Sequence, residues 1–353
     1  MSTLMLPARA GSSTSHSRDV RVQSPLARVV TLTPAPAIDR VYFLGQVEPG
    51  HVNRASTVET YLAGNGINVS RALHLAGNPT LAVLPINSED LKKARTANPA
   101  SLLSYRQLTI EAPTRINAIA VDSNGVTTNF NENAAPLSGS EWTRLCQLVA
   151  RSIREIKSDW LVLGGSIPLN GDTGGALDLN ELVLAAQDAG ASVCFDTPGA
   201  VLKHWVETAG PLDLIKPNAS ELSSITGMQL ENLGDVVAAA EWLRERGVGT
   251  VLASLGPDGI IHVGKHGALW ARGPAARVLN TTGAGDACLA GFLSALPHGT
   301  RVPHSNDVLR SALGRAVSWG SLAVQQATTI LPMVPVPSGV LVTEPDMARR
   351  LSA

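Results

Sequence analysis

Cysteine is scarce: the 353-residue chain has three, Cys146, Cys194 and Cys288, scattered and odd in number. No Cys-x-x-Cys occurs, so neither a cysteine-based structural zinc site nor a disulfide framework is encoded. Reduced, buried thiols of this kind fit a cytoplasmic protein. Charge is also sparse, with Asp, Glu, Lys and Arg at 16% and a formal net charge of -1. So neutral a balance gives no general electrostatic hold on nucleic acid or on an anionic membrane. No apolar run approaches the ~20 residues of a membrane span.

What is present is a chain 44% hydrophobic, enough for one large α/β domain, with or without a small accessory piece, and in no need of staples. Residues 1–26 are rich in Ser and Arg with one acid, Asp19. Their hydrophobic part, LML, is too short for a secretory signal. The segment reads as a disordered extension, or as an over-long start, ahead of a domain covering 27–353.

From Arg28 the pattern alternates. VVTLT and TLAVLPI read as buried strands around a helix, GINVSRALHLAG, closed by Gly77. SGSEWTRLCQLVARSIREI is an amphipathic helix capped by Ser138 or Ser140, with Glu141 in its first turn. DWLVLGG, ASVCFDT, LDLIKPN and GTVLASLG are further strands, separated by helical segments near 173–190, 199–208, 218–226 and 232–247. Such alternation predicts a mostly parallel sheet with helices on both faces, and ligands beyond the C-terminal strand ends. Two stretches break the rhythm: 40–62, alternating about a Pro-Gly turn, and a hairpin around Asn124-Gly125. Together, over about 40–62 and 107–131, they predict a small β lid inserted in the domain.

Three glycine motifs invite other functions and fail. Gly259-x4-Gly264-Lys265 lacks the P-loop Ser/Thr and reads better as two strands joined by a G-K-H-G turn. Gly64-Asn65-Gly66 starts a dinucleotide fingerprint, but Val69 replaces its third glycine. Gly164-Gly165-Ser166-Ile167-Pro168 has proline where a hydrolase elbow needs glycine. NTTGAGDA differs: it leads through Gly283, Ala284 and Gly285 directly into Asp286 and an apolar helix. Asp286 is then either a helix cap or a base beside a phosphate cradle of unpaired amides.

NTTGAGDACLAGFL resembles the C-terminal signature of the ribokinase-like (PfkB) carbohydrate kinases, and AGNGINVSRALHLAG the N-terminal one. KPNASEL resembles their Asn-x-x-Glu element and SLGPDG their nucleotide-binding strand end. TPAPAIDR, PGHVNRA, TRINAIAV, FNEN and FDTPGA are similar to the 1-phosphofructokinase and tagatose-6-phosphate kinase branch. The resemblance implies a three-layer α/β/α fold, ATP and Mg²⁺ as cofactors, and a sugar phosphate, most closely fructose 1-phosphate, as substrate. It implies that Asp286 is the base and that the amides of Gly283, Ala284 and Gly285 stabilise the transferring phosphoryl group. Asn218 and Glu221 would organise Mg²⁺ through water. Lys216 and the run Ser254, Leu255, Gly256, Pro257, Asp258 and Gly259 would contact ATP. Asp39, Gly64, Asn65, Gly66 and Asn68 would hold the sugar, and Arg115 its phosphate, which a guanidinium grips bidentately. Asn131 and Glu132 are further candidates. The bland readings remain beside these: capping for Asn218, a solvated strand position for Arg115.

The match departs at Ala35, at Ala63, and at Asn65, where this branch has Lys. Ile86 and Asn87 replace a glycine pair, which predicts a narrower pocket. Lys92, Lys93 and Arg95 either restore positive charge or form a solvated helix face. An unphosphorylated sugar, a nucleoside or another ketose phosphate is the alternative substrate, and a non-catalytic binding protein the alternative role. Exposed lid edges fit a homodimer.

Overall fold

The computed structural model describes residues 26–98, 103–208, 210–300 and 305–352. The expected disordered extension lies outside these residues except for Leu26, which bridges to Pro297. The chain opens with β1 (Val29–Leu32), then leaves the core for β2 (Ala37–Phe43) and β3 (Thr57–Ala63). It returns through α1 (Asn65–Leu75), β4 (Thr80–Ile86), α2 (Ser88–Ala97) and β5 (Tyr105–Thr109), and departs again for β6 (Arg115–Val121) and β7 (Thr127–Asn131). Next come α3 (Gly139–Ile156), β8 (Trp160–Gly164), α4 (Leu179–Asp188), β9 (Ser192–Asp196), α5 (Gly199–Thr208) and β10 (Leu212–Ile215). α6 (Ala219–Thr226), α7 (Leu233–Arg244) and β11 (Val248–Ser254) follow. The hairpin β12 (Ile260–Gly264) and β13 (Gly267–Arg272) precedes α8 (Ala284–Ser294), α9 (Asn306–Ala323) and β14 (Leu341–Thr343).

Ten strands form one sheet in the order β14-β13-β12-β11-β10-β9-β8-β1-β4-β5. Neighbours from β11 to β5 run parallel, and β12, β13 and β14 add antiparallel. Helices cover both faces, so β1, β8 and β9 are buried at every position. The strand period of two divides their side chains. Leu161 and Leu163 meet Leu145 and Val149 of α3 on one side. Trp160 and Val162 meet Leu73 of α1, Phe292 of α8 and Trp319 of α9 on the other. The expected G-K-H-G turn joins β12 to β13, with Gly264 opposite Gly267. Ser138 caps α3 and closes a capping box with Glu141.

β3-β2-β6-β7 make a second sheet. Its hairpins join by parallel pairing of β2 with β6, which sets Asp39 opposite Asn117. Val41, Tyr61, Ile119 and Val121 pack against Ala327 and Ile330. Two expected boundaries need correction. Residues 107–109 belong to β5 in the large sheet, because they pair in parallel with β4, and the small sheet reaches back to Ala37. The helix expected from 173 begins at Leu179, where Asp178 supplies the cap.

In the large sheet β1 lies between β4 and β8, so the strand order reverses beside it. The start of α1 packs against this switch point, where α/β sheets bind ligands. A Cβ on Gly66 would lie 2.7 Å from Thr33 Oγ1 and 2.9 Å from the Leu32 carbonyl oxygen, and one on Gly164 2.6 Å from the Gly66 nitrogen. Backbone atoms cannot yield cheaply, so Gly164→Ala is expected to lower unfolding free energy by about 1–3 kcal/mol. Gly45→Ala, with nothing within 4 Å of its added carbon, should stay within about 0.5 kcal/mol of the parent. Denaturant melts of the two variants check the contrast.

Candidate active site

Asp286 lies in the first turn of α8, and the N-cap is Gly283 at φ 80°. No side chain caps the helix. The carboxylate of Asp286 points elsewhere: its Oδ2 accepts a hydrogen bond from Asn68 Nδ2 at 2.9 Å. The capping reading is thereby excluded. Asp286 is 5% exposed, and burial raises its pKa to about 7, helped by repulsion from Asp196 and opposed by Asn68 and Lys216.

Lys216 follows β10 and is buried. Its Nζ pairs with Asp196 Oδ1 at 3.0 Å. Burial works against this charge, but the carboxylates of Asp196 and Asp286 outweigh it and hold the ammonium above its usual range. A Cβ on Gly285 would come within 2.8 Å of Nζ, so the ammonium lies directly on the glycine turn. Glycine is required there for the close approach. Asp196, at the end of β9, keeps Oδ2 buried without a hydrogen bond among the described residues.

On the lid side, Asp39 is buried on β2 and its Oδ1 accepts from Asn117 Nδ2 at 2.8 Å. Burial raises its pKa, countered by Asn117, Arg115 and Arg71. Arg71 of α1 donates to Asn68 Oδ1 at 3.3 Å and to the Leu62 carbonyl at 2.8 Å. Its pKa falls to about 10 by burial, against the field of Asp39, so it stays charged at neutral pH. Hydrogen bonds therefore run from Arg71 through Asn68 to Asp286, and the charges of Asp39 and Lys216 act on the two ends through the field. Gly64 and Gly66 let the start of α1 touch Thr33, and the Asn65 side chain lies over Gly165. Arg115 donates to the carbonyls of Ala35 at 2.8 Å, Pro36 at 3.4 Å and Glu132 at 3.3 Å. Glu132 in turn accepts from the Ile116 amide.

On the other side, Asn218 caps α6, and a capping box joins it to Glu221: each side chain accepts from the other's amide at 2.9 Å. Asn218 bridges to Ser254, and the Ser254 amide donates to Pro217 at 3.0 Å. The Asn-x-x-Glu element thus adjoins the end of β11. From there a single 3₁₀ turn, Gly256–Asp258, leads to Gly259 at φ 88°. A Cβ on Gly259 would fall 2.1 Å from the Ala271 carbonyl oxygen.

The structure bears on three further expectations. The Asp258 carboxylate is buried and held by the amide and hydroxyl of Ser352, with Arg349 Nη2 at 3.8 Å. It anchors the C-terminal segment. Neither Ile86 nor Asn87 narrows the pocket: Ile86 packs into a core with Ile67, Leu84 and Leu91, and Asn87 caps α2. Lys92, Lys93 and Arg95 form the exposed face of α2. The sequence reading missed Asp196 and Arg71 as site residues. For Asp196 a signal existed, an acid ending a wholly buried strand; Arg71 shows itself only by its place three residues after Asn68. A cavity of about 490 Å³ is lined by Asn68, the partner of Asp286, with Arg71, Gly283, Ala287 and Thr329 among others. Among the described residues no cluster of His, Cys, Asp and Glu forms a direct metal cage, and no helix is long and apolar enough to cross a membrane.

Comparison with known proteins agrees with this geometry. The chain is 27% identical over 308 residues to the 1-phosphofructokinase of Escherichia coli strain K12, covering 87% of this chain and 96% of that one. It is 30% identical over 272 residues to the 1-phosphofructokinase of Haloferax volcanii, covering 77% and 85%. The solved phosphofructokinase-2 of Escherichia coli in complex with fructose-6-phosphate superposes with a TM-score of 0.72 at 26% identity, covering 85% of this chain and 94% of that one. The profile of the pfkB family carbohydrate kinases matches residues 29–336, and the chain belongs to that family of sugar kinases, phosphotransferases with an alcohol group as acceptor.

Proposed function

We propose that this chain transfers the terminal phosphoryl group of ATP to the free primary hydroxyl of fructose 1-phosphate, with Asp286 as the base. One observation carries the reading: the carboxylate in the glycine-turn helix does not cap that helix, but is held by Asn68 with a pKa near neutrality. A base tuned to the working pH combines the right protonation state with driving force for proton transfer. The relatives named 1-phosphofructokinase support the choice of sugar.

The residues fit the cofactors. Lys216 Nζ against Gly285 and the uncapped start of α8 form an anion site. Glu221 and the unpaired oxygen of Asp196 are hard donors of the type Mg²⁺ takes. When bound, ATP supplies the phosphoryl group and Mg²⁺ neutralises its charge. Asp39 and Asn68 orient the sugar, Asp286 accepts the hydroxyl proton, and the amides of Gly283, Ala284 and Gly285 with Lys216 stabilise charge on the phosphoryl oxygens. Gly64, Asn65 and Gly66 shape the sugar pocket, Ser254 to Gly259 border the nucleotide, and the four-stranded sheet acts as the lid. The exposed Phe130 and Val58 on its outer strands support a homodimer through that sheet.

A second reading, a substrate without a phosphate at this end, gains support from Arg115, whose three nitrogens each donate to a backbone carbonyl. Coupled ADP release across a panel of sugars and sugar phosphates separates the two. Arg115→Ala should raise KM for fructose 1-phosphate by roughly tenfold to a hundredfold, since hydrogen bonds to charged groups contribute ~1.5–3 kcal/mol, and leave KM for a neutral sugar almost unchanged. Asp286→Asn should keep ATP binding and lose ~10²–10⁴ in kcat; a variant with near-full activity would refute the base. The pH sign follows: the base works unprotonated, so kcat/KM should fall as pH drops below about 7 and level off above it. A profile flat from pH 8 to pH 5.5, roughly a unit or more either side of that midpoint, would count against Asp286.

A further inference from the structure

A groove of about 750 Å³ lies between α1, α2 and the start of β5, and the proposed reaction does not use it. Its walls carry Arg71 from α1, Lys92 and Arg95 from α2, and the polar groups of Ser88, Tyr105 and Gln107. None of the described residues that line it has a carboxylate. Lys92 is exposed and enters no ion pair among the described residues. Lys93, which pairs with Asp90 at 3.5 Å, belongs outside it. Arg95 donates to the Tyr105 hydroxyl at 2.7 Å and lies over its ring, 5.4 Å from the centroid. A neutral partner thus fixes this guanidinium without cancelling its charge. Gln107 Nε2 donates to Ser88 Oγ at 3.0 Å, so the polar wall is also organised.

A concave wall with cations of one sign and neutral donors concentrates anions, and phosphate suits it because its oxygens accept several charge-assisted hydrogen bonds at once. A net charge of -1 over the whole chain gives no broad basic face for a nucleic acid or a membrane. The fitting occupant is a small phosphorylated molecule. Arg71 also lines the cavity that Asn68 lines. It donates to Asn68 Oδ1, and Asn68 donates to Asp286. A phosphate drawn to Arg71 from the groove competes with Asn68 for the same guanidinium.

We propose that this groove is a second site, for a small phosphorylated metabolite, coupled to Asp286 through Arg71 and Asn68. The coupling rests on the kinase reading above; the binding does not. Calorimetry with inorganic phosphate, with the active site occupied by a non-hydrolysable ATP analogue and fructose 1-phosphate, tests the binding. The parent should bind phosphate, and Lys92→Ala/Arg95→Ala about tenfold or more weakly, since two charged donors are lost. Both residues are exposed on α2, and far-ultraviolet circular dichroism checks the variant's fold. Equal phosphate affinity in the two proteins overturns the site. Raised KM for fructose 1-phosphate with undiminished phosphate binding also overturns it, and assigns the groove to the substrate. In kinetics, phosphate should change the parent's kcat, with no change in the double variant, whose basal kcat and KM match the parent's. If no sugar is turned over at all, the kinase reading fails while calorimetry still decides the groove.

Discussion

One buried ammonium serves two buried carboxylates. Lys216 pairs directly with Asp196 and reaches Asp286 only through the field across Gly285. Asp286 is therefore left with a neutral donor, Asn68. A second cation in contact would have held its pKa low, as opposite charges do; the single amide leaves it near neutrality. Removing Lys216 would leave Asp196 as an uncompensated buried charge, and such losses typically cost ~3–5 kcal/mol. The same pair thus belongs to the stability of the strand ends and to the electrostatic setting of Asp286.

Helix α1 determines where the Asp286 carboxylate can point. Its first residues pass so close to β1 and β8 that Gly64, Gly66 and Gly164 have no room for a side chain. The close approach carries Asn68 to Asp286, and one turn later Arg71 to Asp39 and the Leu62 carbonyl. Strand β3 ends immediately before α1, so the small sheet and Asp286 are connected through one helix. Ala327 and Ile330 against the lid core, with Thr329 at 3.0 Å from where a Gly283 Cβ would lie, close the other side.

Much of this was legible in the sequence, for local reasons. Buried parallel strands are continuous apolar runs, so VVTLT, DWLVLGG and ASVCFDT announce themselves. Glycines at close approaches are visible as glycines. The two hairpins alternate at period two, but their parallel union through β2 and β6, which alone sets Asn117 on Asp39, is a long-range pairing without local signature. Asp258 shows the limit of motif transfer: its neighbours Ser254 to Gly259 run beside the Asn-x-x-Glu element as expected, yet the carboxylate turns to Ser352, more than ninety residues on. Ile86 and Asn87 misled for the opposite reason. Read against the family they were losses of glycine, whereas an apolar core and the start of α2 account for both.

At Asn218 and Glu221 the capping role and the proposed metal role need not compete. The capping box uses Asn218 Oδ1 and Glu221 Oε2, and leaves Glu221 Oε1 without a protein hydrogen bond among the described residues. Capping contributes only about 1 kcal/mol to a helix, but it fixes two side chains that would otherwise rotate freely. The bridge from Asn218 to Ser254 ties this fixed pair to the end of β11, and Lys216, two residues before it, to the glycine turn. A cation held through water needs oxygens whose positions are settled before it arrives. A helix cap is an inexpensive way to settle them, so its presence here strengthens the case for Glu221 as a metal-organising residue.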